Sequence, residues 1–150
     1  MLQVNELMSR DVSACTPDSA LDEVAQMMWE KDCGAIPVVD NDNKPVGVIT
    51  DRDIAMGSVL QHEASWNIKA QDISKDKEVY SCRDEDDVHD ALQLMQDKQI
   101  RRLPVVDNDG HLTGMLSLND VIIRATKTKK SNLSYEDAIT TLKSVSAQRH

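Results

Sequence analysis

The apolar positions of this chain fall into a short series of patterns that occurs twice. Leu21, Val24, Ala25 and Met28 are spaced i, i+3, i+4 and i+7, which marks one buried face of a helix. Val88, Ala91, Leu92 and Met95 repeat that spacing. Each helical pattern follows a short β-prone run, Val12–Thr16 in one case and Val79–Cys82 in the other, with an acidic turn between them suited to capping. Each is followed by a continuous apolar run fitted to a buried strand, Ile36–Val39 and Leu103–Val106. Turns rich in Asp, Asn and Gly come next, at 40–44 and 107–111. Two further strands, Val46–Thr50 and Leu112–Ser117, end on a hydroxyl residue that opens a last helix. Ile54, Ala55 and Val59 are its apolar residues in the first copy, and Val121, Ile122 and Ala125 in the second.

The repetition is literal at its centre. Pro37-Val38-Val39-Asp40-Asn41-Asp42 recurs as Pro104-Val105-Val106-Asp107-Asn108-Asp109, an offset of 67 residues. Carried along residues 12–54 against 79–121, that offset aligns 43 positions without a gap, 13 of them identical. The predicted fold class is therefore α/β (α+β), with two tandem βαββα units: a first domain over 4–61, a polar linker over 62–71, a second domain over 72–126 and an extension over 127–150. In the extension Ser134 caps a predicted amphipathic helix carrying Tyr135, Ala138, Ile139, Leu142 and Val145, with Asp137 favourable in its first turn. That helix has two open destinations, its own chain or a partner.

Composition narrows the function. At 150 residues neither half alone buries a secure core, so a single fused core is expected. The chain has no Phe, which leaves Leu, Ile, Val and Met to fill the interior. A formal charge of −9 argues against nucleic acid as a partner, because that affinity rests on basic residues neutralising phosphates. The short basic tract of Lys127, Lys129 and Lys130 reads as a solvated helix end. No apolar stretch approaches the roughly 20 residues that span a bilayer, so no membrane partner is expected. Three cysteines, Cys15, Cys33 and Cys82, lack metal-ligand spacing; they read as small core residues in a reduced, cytoplasmic setting, with no metal. The four histidines, His62, His89, His111 and His150, pair with no Cys or Ser in a nucleophile arrangement, and no enzymatic chemistry is expected.

One constellation carries binding chemistry. Thr50 and Asp53, and likewise Ser117 and Asp120, stand three apart where a strand turns into a helix, so one turn brings both side chains to the same mouth. An ionised Asp there can accept from both hydroxyls of a ribose, while the hydroxyl and free amides favour an adjacent anion. The same spacing is also a helix capping box, and both roles can hold at once.

The tandem unit, with Gly34-Ala35-Ile36-Pro37-Val38-Val39 and Gly47-Val48-Ile49-Thr50-Asp51-Arg52-Asp53, then Arg101-Arg102-Leu103-Pro104-Val105-Val106 and Gly114-Met115-Leu116-Ser117-Leu118-Asn119-Asp120, resembles the cystathionine-β-synthase (CBS) domain family over roughly 4–126. The resemblance implies two domains packed about a pseudo-two-fold axis, with two related clefts that commonly take adenine-containing ligands. It implies a stand-alone regulatory pair, without required cofactors, that senses AMP, ADP or ATP and responds through dimer or partner conformation. S-adenosylmethionine, an NAD-type ligand, or a ligand-free dimerisation or docking role are the alternatives. By family position Arg102, with Arg101 beside it, is aimed at phosphate, for which a guanidinium is a bidentate match; the first copy has Gly34 and Ala35 there. The cleft served by Ser117 and Asp120 is thus the expected phosphate site, and Arg52 is the candidate cation of the other. Cys15, Ala35, Ile36 and Cys82 are the candidate adenine contacts. Met27 with Leu94, and Met56 with Ile123, match under the offset off the buried helical faces, which suits a homodimer surface. Trp29 and Trp66 break the repeat.

Overall fold

A computed structural model describes residues 1–127 and 132–147. The chain runs α1 (Leu21–Lys31), β1 (Ala35–Val39), β2 (Pro45–Thr50), α2 (Asp51–Gln61), α3 (Ala70–Ser74), β3 (Cys82–Arg83), α4 (Val88–Lys98), β4 (Arg102–Val106), β5 (Leu112–Ser117), α5 (Leu118–Arg124) and α6 (Tyr135–Ser146). Single 3-10 turns stand at Val4–Glu6 and Ser65–Asn67. Among the described residues no helix is long and apolar enough to cross a membrane. Lys129, Lys130 and His150 lie outside the described residues.

The chain forms two compact units, and neither is a simple half. One comprises residues 11–80 with 110–112; the other comprises 1–10, 81–109 and 113–150. The segment that precedes the first copy therefore packs with the second, and the segment that precedes the second packs with the first.

In the unit built on the first copy, β1 and β2 are antiparallel, with Ala35 opposite Thr50 and Ile36 opposite Ile49. The β-prone run at 12–16 contributes only one bridge, parallel, between Cys15 and Val38. Its amide and carbonyl bond to Pro37 O at 3.0 Å and Val39 N at 2.8 Å, too short a ladder to extend into a full strand. Cys15, Leu21, Val24, Met28, Ile36, Val38 and Ile49 form the core together with Ile68 and Ala70. The last two correct the reading of 62–71 as a polar linker, because both are fully buried. Burying Ile68 contributes about 1.5–3 kcal/mol. The same segment replaces the expected acidic cap of α1, whose N-cap is Ala20 without a side-chain bond: Leu21 N donates to Ile68 O at 2.9 Å, and Ala70 N to Ser19 O at 2.8 Å.

The other unit solves the same problem with the N-terminal segment. Val88 N, at the start of α4, donates to Leu2 O at 2.9 Å, and Leu2 and Val4 are buried. Here Asp87 does cap its helix, accepting from His89 N at 2.9 Å. The sheet has three strands in the order β3-β4-β5, and Cys82 lies opposite Val105 as Cys15 lies opposite Val38.

The equivalence extends to backbone conformation. Asp32 and Gln99, 67 apart, both end a helix in the left-handed region at φ 50° and 55°, and Asn43 and Gly110, also 67 apart, both turn there at 59° and 86°. It extends as well to close approach. A Cβ on Gly47 meets Ser74 Cβ at 2.9 Å, and one on Gly114 meets Ser9 O at 2.5 Å. Each strand glycine thus admits the segment borrowed from before a repeat.

Several helical positions differ from their expected exposure. Val59 and Ala55 face solvent, and Gly57 alone is buried in α2; Ile122 is exposed in α5. Both helices are short surface helices whose outer apolar residues have no covering layer within their own unit. Met27 is partly buried against the core, and Leu94 is half-buried, so neither is an outward contact. Met56 and Ile123 are exposed. Cys15 and Cys82 are buried, but Cys33 is exposed in the turn after α1, its thiol near Ala35 O at 3.5 Å, so the reading of all three as core residues fails for Cys33.

α6 packs on its own chain, against α4 and α5. Ser134 accepts from Asp137 N at 3.1 Å and Asp137 accepts from Ser134 N at 3.0 Å, a complete capping box. Ala138, Thr141 and Val145 are buried, and Gln96 Nε2 donates to Thr141 Oγ1 at 2.9 Å, which leaves that buried hydroxyl satisfied. At the N-terminal end His89 sits between two carboxylates, Nδ1 at 2.9 Å from Asp87 and Nε2 at 3.4 Å from Asp137.

Replacing Gly114 with Ala is expected to lower stability by about 1–3 kcal/mol, because the new methyl meets a backbone carbonyl that cannot swing away; chemical denaturation measures it. The His89 cluster is expected to stabilise α6 in a pH-dependent way. Hydrogen bonding to Asp87, then the charges of Asp87 and Asp137, raise the His89 pKa above its ordinary 6.5, while bonding to His89 N and to Ser134 N respectively, with His89 itself, lowers those of Asp87 and Asp137 below 3.8. The imidazolium contribution is complete below pH 6.5 and is lost as pH rises through the raised value; the carboxylate contribution is complete above pH 3.8 and is lost on acidification. Thermal melts of the wild type and His89→Ala should therefore differ most between those limits and converge on the alkaline side.

Candidate functional site

The two strand-to-helix junctions are built alike. β2 delivers Thr50 in extended conformation, and the chain enters α2 at Asp51. Thr50 Oγ1 accepts from Asp53 N at 3.1 Å, and Asp53 Oδ2 accepts from Thr50 N at 2.9 Å. β5 delivers Ser117 in the same way: Ser117 Oγ accepts from Asp120 N at 3.2 Å, and Asp120 Oδ2 accepts from Ser117 N at 2.8 Å. Both pairs are reciprocal capping boxes, so the capping role holds in each copy. A further bond fixes each helix start to the strand before it: Asp51 N donates to Gly34 O at 3.0 Å, and Leu118 N to Arg101 O at 2.8 Å.

Those carbonyl anchors place the residues that distinguish the copies. Ala35 is opposite Thr50 in the sheet, and under the repeat offset the corresponding pair is Arg102 and Ser117. Arg101 immediately precedes β4 and Arg102 begins it, beside the junction of Ser117 and Asp120, with Arg101 exposed and Arg102 half-buried. Among the described residues neither guanidinium is ion-paired with a carboxylate. In a chain of net charge −9 that leaves two cations with unspent hydrogen-bonding capacity at one place. Arg52 is exposed on the first turn of α2, its backbone N–H donating to Asp51 Oδ1 at 2.8 Å.

The two carboxylates differ in the same sense. Asp120 is half-buried and spends one oxygen on Ser117 N; its Oδ1 has no partner among the described residues. Asp53 spends both, because Oδ1 is ion-paired with Lys77 Nζ at 2.6 Å. Lys77 was not among the residues that the sequence pattern brought forward. Its only signal is position: it stands 67 residues after Arg10.

The four candidate adenine contacts are buried in their own units: Cys15 at 2% exposure, Ala35 at 8%, Ile36 at 1% and Cys82 at 5%. Burial pushes the thiol of Cys15 up to about 11 and that of Cys82 up to about 12, the latter helped by Asp86 and Asp84. Both stay protonated at neutral pH and behave as small apolar groups.

Comparison with known proteins places this geometry. The family model described as CBS domain matches residues 4–58 and again 70–126. A CBS domain-containing protein of Bacillus subtilis, YhcV, is 33% identical over 142 residues, 95% of this chain and 96% of that protein. A Methanopyrus kandleri protein is 34% identical over 81% of this chain, which spans 61% of that relative. Inosine-5'-monophosphate dehydrogenase of Methanocaldococcus jannaschii is 30% identical over 87% of this chain, which spans only 26% of the dehydrogenase. Among solved structures, a CBS domain protein of Pyrobaculum aerophilum complexed with AMP has a TM-score of 0.71 and 27% identity, covering 80% of this chain and 90% of that one. The CBS domain pair of protein MJ0100, in complex with 5'-methylthioadenosine and S-adenosyl-L-methionine, has the same fold at a TM-score of 0.71 and 22% identity, covering 81% of this chain and 93% of that one. The duplicated strand-to-helix junction, the repeated register and the twofold match together make this chain a member of the CBS domain family, with both repeats present.

Proposed function

We propose that the chain is a non-enzymatic regulatory module that binds an adenine nucleotide of the AMP, ADP or ATP class at the mouth formed by Ser117 and Asp120. The observation that carries this reading is the half-engaged carboxylate of Asp120 at a junction whose helix start is bonded to Arg101 O, with Arg101 and Arg102 free of ion pairs among the described residues. A ribose hydroxyl has an acceptor in Asp120 Oδ1, and a phosphate has bidentate donors in Arg102 and Arg101. Thr50, Asp53 and Arg52 form the second mouth; Ala35, Ile36, Cys15 and Cys82, all under 9% exposed, offer a base almost no side-chain surface, which corrects their expected role as adenine contacts. The AMP complex of the Pyrobaculum aerophilum relative supports the choice of ligand class.

A regulatory role without chemistry is the reading that membership of the CBS domain family supports. His89 is held between Asp87 and Asp137, His62 ends α2, and the thiols of Cys15 and Cys82 are protonated and buried. Ligand binding then acts by favouring one conformation or one partner-bound state over another. The exposed apolar residues Met56, Val59 and Leu60 of α2, and Ile122 and Ile123 of α5, fit a homodimer through these helices in a reduced, cytoplasmic setting. A second reading, binding of S-adenosylmethionine, rests on the MJ0100 complex. The arginine pair favours a phosphate-bearing ligand over that cation.

The wild-type chain should gain about 2.7 kcal/mol of stability at a nucleotide concentration of about 100 times Kd, seen as a dose-dependent rise in melting temperature with AMP, ADP or ATP. Asp120→Ala should abolish that rise while costing the unliganded chain only about 1 kcal/mol, the loss of its capping bond. Unchanged melting of the wild type with all three nucleotides would overturn the reading; a rise with S-adenosylmethionine alone would favour the second.

A further inference from the structure

The two mouths share their capping geometry and differ in one ion pair. Asp53 has both oxygens engaged, Oδ2 by Thr50 N at 2.9 Å and Oδ1 by Lys77 Nζ at 2.6 Å. The Asp53 side chain is 16% exposed and that of Lys77 53%, so the ammonium closes off a largely covered carboxylate from its solvent side. The oxygen that would accept from a ribose hydroxyl in the first copy is therefore occupied by a cation of the same chain.

The placement of Lys77 belongs to the fold. Lys77 N donates to Ser74 O at 3.1 Å, which fixes it one turn beyond the end of α3. Ser74 is buried, its Oγ donates to Ala70 O at 3.0 Å, and its Cβ lies 2.9 Å from where a Cβ on Gly47 would fall. Gly47 is in β2, three residues before Thr50. The glycine that admits α3 against the strand thus sets the distance from Lys77 to Asp53.

The second copy has the same opportunity and does not use it. Arg10 stands 67 residues before Lys77, in the segment that packs by Gly114 of β5 as the Ser74 segment packs by Gly47. Its guanidinium turns back to donate to Asn5 O at 3.0 Å, and among the described residues Asp120 Oδ1 has no partner. One mouth is closed by an internal cation, and its twin, with an equivalent cation available, is not.

We infer that Lys77 is an internal plug of the first mouth, so that the unmodified chain takes one nucleotide, at Ser117 and Asp120, and removal of the Lys77 charge opens a second site at Thr50 and Asp53. The inference rests on the nucleotide reading above. It makes Lys77 the residue that determines occupancy: any modification that neutralises its ammonium doubles the binding capacity of the chain.

Isothermal titration of the full chain with AMP tests it. The wild type should bind one equivalent per chain. Lys77→Met should bind two, Asp53→Ala added to Lys77→Met should return the count to one, and Lys77→Arg, which keeps a cation in place, should stay at one. Lys77→Gln provides a second neutral variant, and circular dichroism with a thermal melt establishes that each variant is folded before titration. A wild type that already binds two equivalents, one of them lost in Asp53→Ala, overturns the plug. So does a folded Lys77→Met and Lys77→Gln pair that both remain at one equivalent. Failure of wild type and variants alike to bind any AMP overturns the nucleotide reading as well, and that outcome is distinct from wild-type binding that the lysine variants leave unchanged.

Discussion

Neither repeat can finish its own core, and the rest of the molecule follows from that. The first helix of each copy begins with an amide whose acceptor lies outside the copy, Ile68 O for Leu21 and Leu2 O for Val88. The segments that supply these carbonyls also supply buried side chains, Ile68 and Ala70 in one unit, Leu2 and Val4 in the other. A βαββα unit of about 50 residues exposes too large a fraction of its apolar surface to stand alone. The exchange of preceding segments gives each unit the missing wall, and it makes the connection between copies part of a core.

That exchange also imposes the strand glycines. A segment can lie against β2 or β5 only where a side chain is absent, and Gly47 and Gly114 provide the gap at equivalent places. The junction residues Thr50 and Ser117 follow three residues later, so the capping boxes and their carboxylates are positioned by the same contact that completes the core. The proposed binding chemistry and the structural packing therefore share one short stretch of chain. The carboxylates at the helix starts first satisfy backbone amides, and they differ in what capacity remains, one oxygen of Asp53 being held by Lys77.

The repeat, the element types and most of the core were legible in the order of residues. Periods of 3.6 and the continuous apolar runs identified α1, α4, β1 and β4, since burial of one helical face or a whole strand leaves a strong local pattern. The capping boxes of Thr50–Asp53 and Ser117–Asp120, and the cap at Ser134, were legible for the same reason, being local bonds between residues three apart. The burial of Ile68 was not, because it sits among polar neighbours in a segment without periodicity. Nor was the thin first strand of the first copy, reduced to the single bridge of Cys15, or the exposure of Val59 and Cys33. These depend on which surfaces find a covering layer, and a local pattern does not encode that.

By itself, then, the sequence determined that one unit is written twice, that its helices start on Thr/Ser-x-x-Asp, and that the second copy alone carries an arginine pair before its central strand. Those features are fixed by spacing along the chain. Only the tertiary structure decided which preceding segment completes which unit, that α6 folds back onto α4 and α5, and that Lys77, 24 residues from Asp53, neutralises one of two otherwise matching carboxylates. The reason is physical: an ion pair or a buried wall depends on distance in space, and residues far apart in sequence acquire that distance only when the core between them has formed.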